Sequence, residues 1–209
     1  MHQLRRERPL TQEWAEAGIT LAREHGFPQW LGEGTVLQGW ALAEQGQVEE
    51  GISQIRQGLV THEAIGAGLL KSYFLALLAE AHGKAGQEEE GLTTLVEALT
   101  VVDKSGERFY EAELCRLKGE LLLQSQVPGP KPQVEKEVEG CFLKAIEIAR
   151  RQQAKSLDLR AVMSLARLWQ RQGKQKEAHE LLAEIYNWFT EGFDTKDLQE
   201  AKALLEELA

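Results

Sequence analysis

The chain has 209 residues, 43% of them hydrophobic, which is enough to bury a real core and excludes a disordered polymer. Its formal charge is −9 and no stretch gathers five or more Lys and Arg, so it would repel a phosphate backbone and no nucleic-acid partner is expected. No run of eighteen apolar residues could cross a membrane, and MHQLRRERPL at the start lacks the apolar centre of a signal peptide, so a cytoplasmic protein is expected.

Leu, Ala, Glu, Gln and Arg dominate, with few β-branched or aromatic runs, a mixture that favours helix over strand. In chain order the apolar spacing predicts helices over Leu10–His25, Pro28–Gln45, Val48–Glu63, Ala67–Ala85 and Glu88–Asp103. Five more follow over Glu107–Gln126, Val134–Gln153, Lys155–Gln172, Gln175–Thr190 and Thr195–Leu208, with no strand. Pro28 suits a first helical turn, and KSGER from Lys104 reads as a helix stop followed by a start. The last helix has no partner after it and is expected to cap the array.

Internal repetition decides how these helices are organised. GWALAEQGQVEEGISQIRQG from Gly39, AEAHGKAGQEEEGLTTLVEA from Ala79 and ARLWQRQGKQKEAHELLAEI from Ala166 share one pattern. Each has a small residue, a turn glycine seven later and a second small residue twelve after the first: Gly39, Gly46, Gly51; Ala79, Gly86, Gly91; Ala166, Gly173, Ala178. Small residues at those places let two antiparallel helices approach closely, and the glycine between ends the first helix. Gly119 continues the 40-residue step from Ala79, and the interval from Gly119 to Ala166 is longer by seven. The excess falls in the proline-rich stretch QVPGPKPQ, after which Val138, Phe142 and Ala145 resume the pattern. Extrapolated backwards, Thr11, Ala15 and Gly18 fall in register, so the chain opens on the second helix of a truncated repeat. The expected organisation is a single array over 1–209: a truncated repeat helix (10–25), repeats at 28–66, 67–106, 107–153 with a loop insertion at 126–133, and 154–192, then a capping helix at 195–208.

Helix pairs at this period resemble a tetratricopeptide (TPR) array, an all-α, right-handed α-solenoid of antiparallel helix pairs; a HEAT-like or armadillo-like array is the alternative. The stretches GWALAEQG, YFLALLAEAHGKAGQ, GERFYEAELCRLKGELLL, SLARLWQRQGK and WFTEGFDTKDLQEAKALLEEL resemble the C-terminal TPR region of large bacterial regulatory proteins. Those proteins join an N-terminal nucleotide-cyclase or signalling domain to an AAA or STAND-type ATPase. The resemblance implies a sensing or scaffold segment that binds a protein or peptide, or acts within its own protein on the ATPase or cyclase. It carries over no catalytic activity, because HGKAG and QGKQK lack the leading glycine and the Ser or Thr of a phosphate-binding loop.

In a TPR-like stack the first helices line the concave face, which defines a candidate partner groove. Its residues are Glu33, Trp40 and Glu44; Tyr73, Glu80 and Lys84; Glu113, Arg116, Glu120 and Gln124; and Arg160, Met163, Arg167 and Arg171. The first three sets are largely acidic and the last carries three arginines, a polarity suited to a peptide with a basic and an acidic part; the same charges could equally form a solvated face. Trp40 and Tyr73 are the aromatic anchors of that groove or else core between repeats, whereas Trp169, Trp188 and Phe189 read as core. Trp14, Ile19 and Leu21 are expected to be exposed where the first helix of the truncated repeat is absent, and to pair with upstream sequence or with a second copy as a homodimer.

Nothing in the spacing announces chemistry. Cys115 and Cys141 have no metal-ligand spacing and read as reduced core thiols, the five histidines form no ligand pair, and no metal or cofactor is assigned. Glu111, Glu113 and Glu120 could pair as acid and base, but glutamates at helical spacing abound in an acidic solenoid, so no enzyme is expected.

Overall fold

The computed structural model describes residues 2–66, 68–125 and 132–209. Among the described residues there are ten α-helices and no strand. They are α1 (Arg8–His25), α2 (Pro28–Glu44), α3 (Val48–Ala64), α4 (Lys71–Lys84), α5 (Glu88–Ser105), α6 (Glu111–Gln124), α7 (Pro132–Arg151), α8 (Lys155–Arg171), α9 (Gln175–Tyr186) and α10 (Lys196–Leu208). The chain divides into two compact units, Met1–Arg108 and Phe109–Ala209, and the division falls at the end of the stop-and-start segment KSGER.

In the first unit α2 packs antiparallel on α3 through backbone. A Cβ on Gly39 would lie 2.7 Å from the Gly51 carbonyl oxygen and 2.8 Å from the Ile55 nitrogen, and one on Gly58 would lie 2.7 Å from the Gly32 carbonyl oxygen. Two crossing points, one near each end, therefore fix both axis and register. The pair α4/α5 closes over Ala79, Leu95 and Ala98, all buried. The turn glycine Gly86 sits at φ 70°, a left-handed conformation that lets α4 stop and α5 start within a few residues.

The second unit repeats the device with other residues. Gly119 on α6 faces the ring of Phe142 on α7, which fills the space a side chain there would need. In α8/α9 Ala166, Ala178 and Leu182 stand at positions where the first unit has glycines or aliphatic residues, all of them fully buried. Leu198, Ala201, Leu204 and Leu208 turn one face of α10 into this core, while Lys202 and Glu206 keep its other face charged and exposed.

Three helix ends differ from the sequence expectation by more than two residues. The fourth helix starts at Lys71, and Ala67 lies outside the described residues; Leu70, at φ 64°, turns the chain into it. Glu107, expected to open the sixth helix, reaches back instead. Its carboxylate accepts from the Leu70 backbone N–H at 3.0 Å and the Ser72 hydroxyl at 3.2 Å, capping the positive N-terminus of α4. The sixth helix accordingly begins at Glu111. The ninth ends at Tyr186, where Trp188 and Phe189 bond three residues back and tighten the last turn. Of the expected loop insertion at 126–133, residues 126–131 lie outside the described residues and Pro132 and Gln133 open α7.

Lys71 stands at a helix N-terminus, where a cation is unfavourable, and is held by Glu63 of α3 at 2.7 Å and Glu97 of α5 at 3.2 Å. The bond to Glu63, ahead of the opposing effect of burial, raises its pKa above the usual lysine value.

Gly39→Ala should lower the unfolding free energy by on the order of 2 kcal/mol, because its new methyl meets chiefly backbone, which cannot move aside. Gly140→Ala on α7 meets nothing within 4 Å and should raise it by about 0.5–1 kcal/mol through helix propensity alone. Urea midpoints of the two variants check the pair, and a Gly39→Ala chain as stable as wild type would remove close approach as the reason for these glycines.

Candidate partner-binding surface

The groove positions expected from the sequence fall in registers one repeat apart, and each unit brings several of them into contact. In the first unit the Trp40 indole N–H donates to Glu80 Oε2 at 3.0 Å across 40 residues of sequence. Trp40 is 2% exposed, so it is core with one polar bond and not an accessible anchor. Glu44, one turn on, has a side chain 1% exposed and sits between Arg8 Nε at 3.1 Å and Lys84 Nζ at 2.8 Å. Tyr73 is buried and its hydroxyl donates to Gln3 Oε1 at 2.5 Å. Glu33 accepts from Gln29 Nε2 at 3.1 Å and lies 3.9 Å from Nε2 of the buried His62.

In the second unit the carboxylate of Glu113, buried on α6, accepts twice from Arg116, at 2.8 and 3.1 Å. Arg116 also donates to Glu120 Oε1 at 3.2 Å, and the Ser164 hydroxyl of α8 donates to the same oxygen at 2.6 Å. Arg160, buried on α8, donates from Nε to Asp197 of α10 at 2.7 Å and lies 3.8 Å from Glu113. Burial pulls this guanidinium down, but the Glu113 and Asp197 carboxylates outweigh it and raise its pKa, so it is charged at every accessible pH. Met163 belongs to the hydrophobic core.

The accessible part of the expected groove is therefore smaller than the sequence suggested. Buried charges need partners, and these find them inside the fold. What stays open is the last turns of the first helices: Glu80 and Lys84 in the first unit; Glu120, Gln124, Arg167 and Arg171 in the second. Arg167 lies 3.9 Å from Glu200, with 42% of its side chain exposed. Lysine or arginine at a helix C-terminus also complements the carbonyl ends.

At α1 the structure divides the expected self-association set. Trp14 and Leu21 are 64% and 56% exposed, whereas Ile19 is 5% exposed. Ile19 stands 40 residues before Leu59 and, like it, packs inward; a Cβ on Gly34 of α2 would touch its side chain at 2.9 Å. A residue in that register faces the following first helix. Trp188, expected in the core, is also exposed, with Lys155 Nζ 5.3 Å from its ring centroid. Trp169 and Phe189 are half-buried against the core, and the Trp169 N–H donates to Glu139 at 2.7 Å.

Sequence reasoning missed Gln3, Arg8, Ser164, Asp197 and Glu200. Asp197 and Glu200 carried a signal in their charge, opposite to that of Arg160 and Arg167; Gln3 precedes the first repeat register and carried none. The buried Cys115 thiol is pushed up to about 11 by burial, and Cys141 is raised by the same cause, so neither is a nucleophile at neutral pH. No group of three or more metal-ligating side chains occurs among the described residues. None of their helices is long and apolar enough to cross a membrane.

No family model matches the chain. A search of curated proteins finds an uncharacterized protein of Rhizobium meliloti (strain 1021), 27% identical over 147 residues, which are 70% of this chain and 14% of that protein. Among solved structures the chain is similar to BtubC (BKLC) from P. vanneervenii, with a TM-score of 0.71 at 15% identity over 96% of this chain and 82% of that one. It is also similar to a Podosopora anserina chain of nearly identical TPR-like repeats, with a TM-score of 0.60 at 16% identity over 87% of this chain and 86% of that one. A single-substitution form of that protein gives 0.58 at 17% identity, over 87% and 93%. At such identities the likeness shows the fold: this is an all-α chain with a TPR-like repeat fold.

Asp197→Ala leaves the buried Arg160 short of its shortest partner and should cost on the order of 3 kcal/mol, while Arg160→Met with Asp197→Leu should restore most of that loss. Glu113 keeps its two bonds to Arg116 in the double variant. Urea denaturation of the two chains distinguishes a buried pair from a replaceable surface contact, since only the former makes the single change the worse one.

Proposed function

We propose that this chain is a protein- or peptide-binding segment of a larger bacterial signalling protein, and that its partner engages the last turns of the first helices. TPR-like arrays present extended surfaces and not reactive pockets, so the fold favours binding over catalysis. The curated relative is on the order of a thousand residues long, since 147 residues make up 14% of it, which suits a segment that serves other domains. The resemblance to cyclase- and ATPase-linked regulators points the same way, to a cytoplasmic sensor or scaffold.

The observation that carries the reading is the pair Arg167 and Arg171, one turn apart and accessible on a helix whose stretch from Asp158 to Ala166 is buried throughout. Two guanidinium groups on so firmly held a base are preorganised for carboxylates of a partner. Affinity capture from a bacterial cytoplasm with wild type and with Arg167→Glu/Arg171→Glu, both shown equally helical by circular dichroism, should yield a partner retained by the first and lost by the second. Equal capture by both moves the interface elsewhere, and no capture by either favours action on the protein's own upstream ATPase or cyclase.

A second reading is favoured by α1. Leu10, Trp14 and Leu21 form an exposed apolar stripe, and a side chain at Gly18 between them would meet nothing within 4 Å. The corresponding Gly58 is pressed against α2. The outer face of α10 is charged, so the stripe's self-complementary partner is the same stripe on a second copy, in a two-fold dimer. Sedimentation should show a dimer for wild type and a monomer for Trp14→Glu/Leu21→Glu; a wild-type monomer at high concentration rejects self-association.

A further inference from the structure

Two layers of charge cross the first helices of the second unit. The lower is buried: Arg160 on α8 lies between Glu113 of α6 at 3.8 Å and Asp197 of α10 at 2.7 Å. Nearer the helix ends the same acid, base, acid order recurs at the surface, with Glu120 on α6, Arg167 on α8 and Glu200 on α10. Their side chains are 29%, 42% and 33% exposed. Ser164 at 2.6 Å and Arg116 at 3.2 Å fix the Glu120 carboxylate in place. Glu200 is held more loosely, with Arg167 at 3.9 Å and Lys196 at 3.7 Å, both beyond hydrogen-bond length. Arg171, one turn past Arg167, is exposed and pairs with no carboxylate among the described residues.

We infer that this row takes a polyproline II segment of a partner protein, laid across α6, α8 and α10, with a basic, an acidic and a basic side chain at three-residue intervals. The inference rests on the reading of Arg167 and Arg171 as the partner surface and names the ligand of that surface. Spacing selects the conformation. Helices packed side by side stand about 8–10 Å apart. A polyproline II chain, with three residues per turn and a rise of about 3.1 Å, returns side chains to one face about every 9 Å. A β-strand does so about every 7 Å and an α-helix about every 5.4 Å, so both fall out of step. Charge order selects the sequence. The arginine pair by itself would take any anion, whereas a carboxylate on each side repels further acids and favours bases there. The ligand's acid thus lies at Arg167 and Arg171, and its two bases lie at Glu120 and Glu200. Exposed pairs are individually weak, so a ligand ordered before it binds has the advantage.

The probes are three fluorescein-labelled heptapeptides with two prolines in each gap between charges. Their charged residues are lysine, glutamate, lysine in the first; lysine, lysine, glutamate in the second, which has the same net charge; and three glutamates in the third. Each is titrated by anisotropy into the full chain at low ionic strength, where exposed charges are least screened. Wild type should bind the first on the order of threefold tighter than the second and on the order of tenfold tighter than the third. Arg167→Glu/Arg171→Glu should remove the preference for the first over the second. Glu120→Lys/Glu200→Lys, shown by circular dichroism to be as helical as wild type, should reverse the order and prefer the three glutamates. Glycine in place of every proline in the first peptide keeps the charges, loses the ordered conformation and should weaken binding severalfold. The wild-type ranking needs no variant to fold: a first peptide bound no tighter than its rearrangement or than the three glutamates overturns the inference. So does a ranking unchanged by Glu120→Lys/Glu200→Lys, or equal binding of the glycine form. A failed ranking with capture still dependent on Arg167 and Arg171 rejects this ligand and leaves the partner surface standing, whereas capture independent of them rejects both.

Discussion

Two antiparallel helices come closest where neither presents a side chain, and in α2/α3 that happens twice, at Gly39 with Gly51 and at Gly32 with Gly58. One such crossing fixes a distance; two fix the axis and the register as well. Much of the rest depends on this. With the second helix locked to the first, the repeat is a rigid body that stacks on the next in one way, and a residue and its counterpart 40 positions on occupy corresponding places. Trp40 therefore finds Glu80, and Glu44 finds Lys84, without any local sequence signal linking them.

Those contacts make demands of their own. A glutamate with a side chain 1% exposed and an arginine buried between two carboxylates are unfavourable unless every charge is answered. They add little net stability over well-packed hydrophobic residues, but they make slipped arrangements costly, because any shift of α8 past α6 or α10 strands Arg160. Glu107 acts in the same spirit at the start of α4, closing a helix end that would otherwise leave its amides without acceptors. Close approach within pairs, through backbone in α2/α3 and through a buried ring in α6/α7, and polar contact between neighbouring pairs hold the register.

This division explains what was legible in the sequence. The pairs were legible, because small residues twelve apart have few uses other than close crossing, and the glycine at seven ends the first helix between them. Helix type and number followed from apolar periodicity. The start of α6 was not legible: Glu107 is a good helix former by itself, and its role as an acceptor for Leu70 and Ser72 is a long-range fact. Several positions of the expected groove are buried. Helical geometry places Trp40, Tyr73, Glu113 and Arg160 on the face away from the paired helix, but it cannot tell that Glu80, Gln3, Arg116 and Asp197 reach them there. Ile19 is the instructive case. Its counterpart Leu59 is also buried, so comparison between copies held the answer that comparison with an imagined exposed face missed.

The arginine pair proposed as a partner surface has a low ordering cost. Arg167 and Arg171 stand on a helix that is buried for nine consecutive residues, from Asp158 to Ala166, so a ligand binding them orders only side chains and their charge acts early, steering an acidic partner before contact. An open cationic surface of this kind would bind acidic ligands readily and discriminate weakly among them, because a poor fit leaves no buried group unpaired.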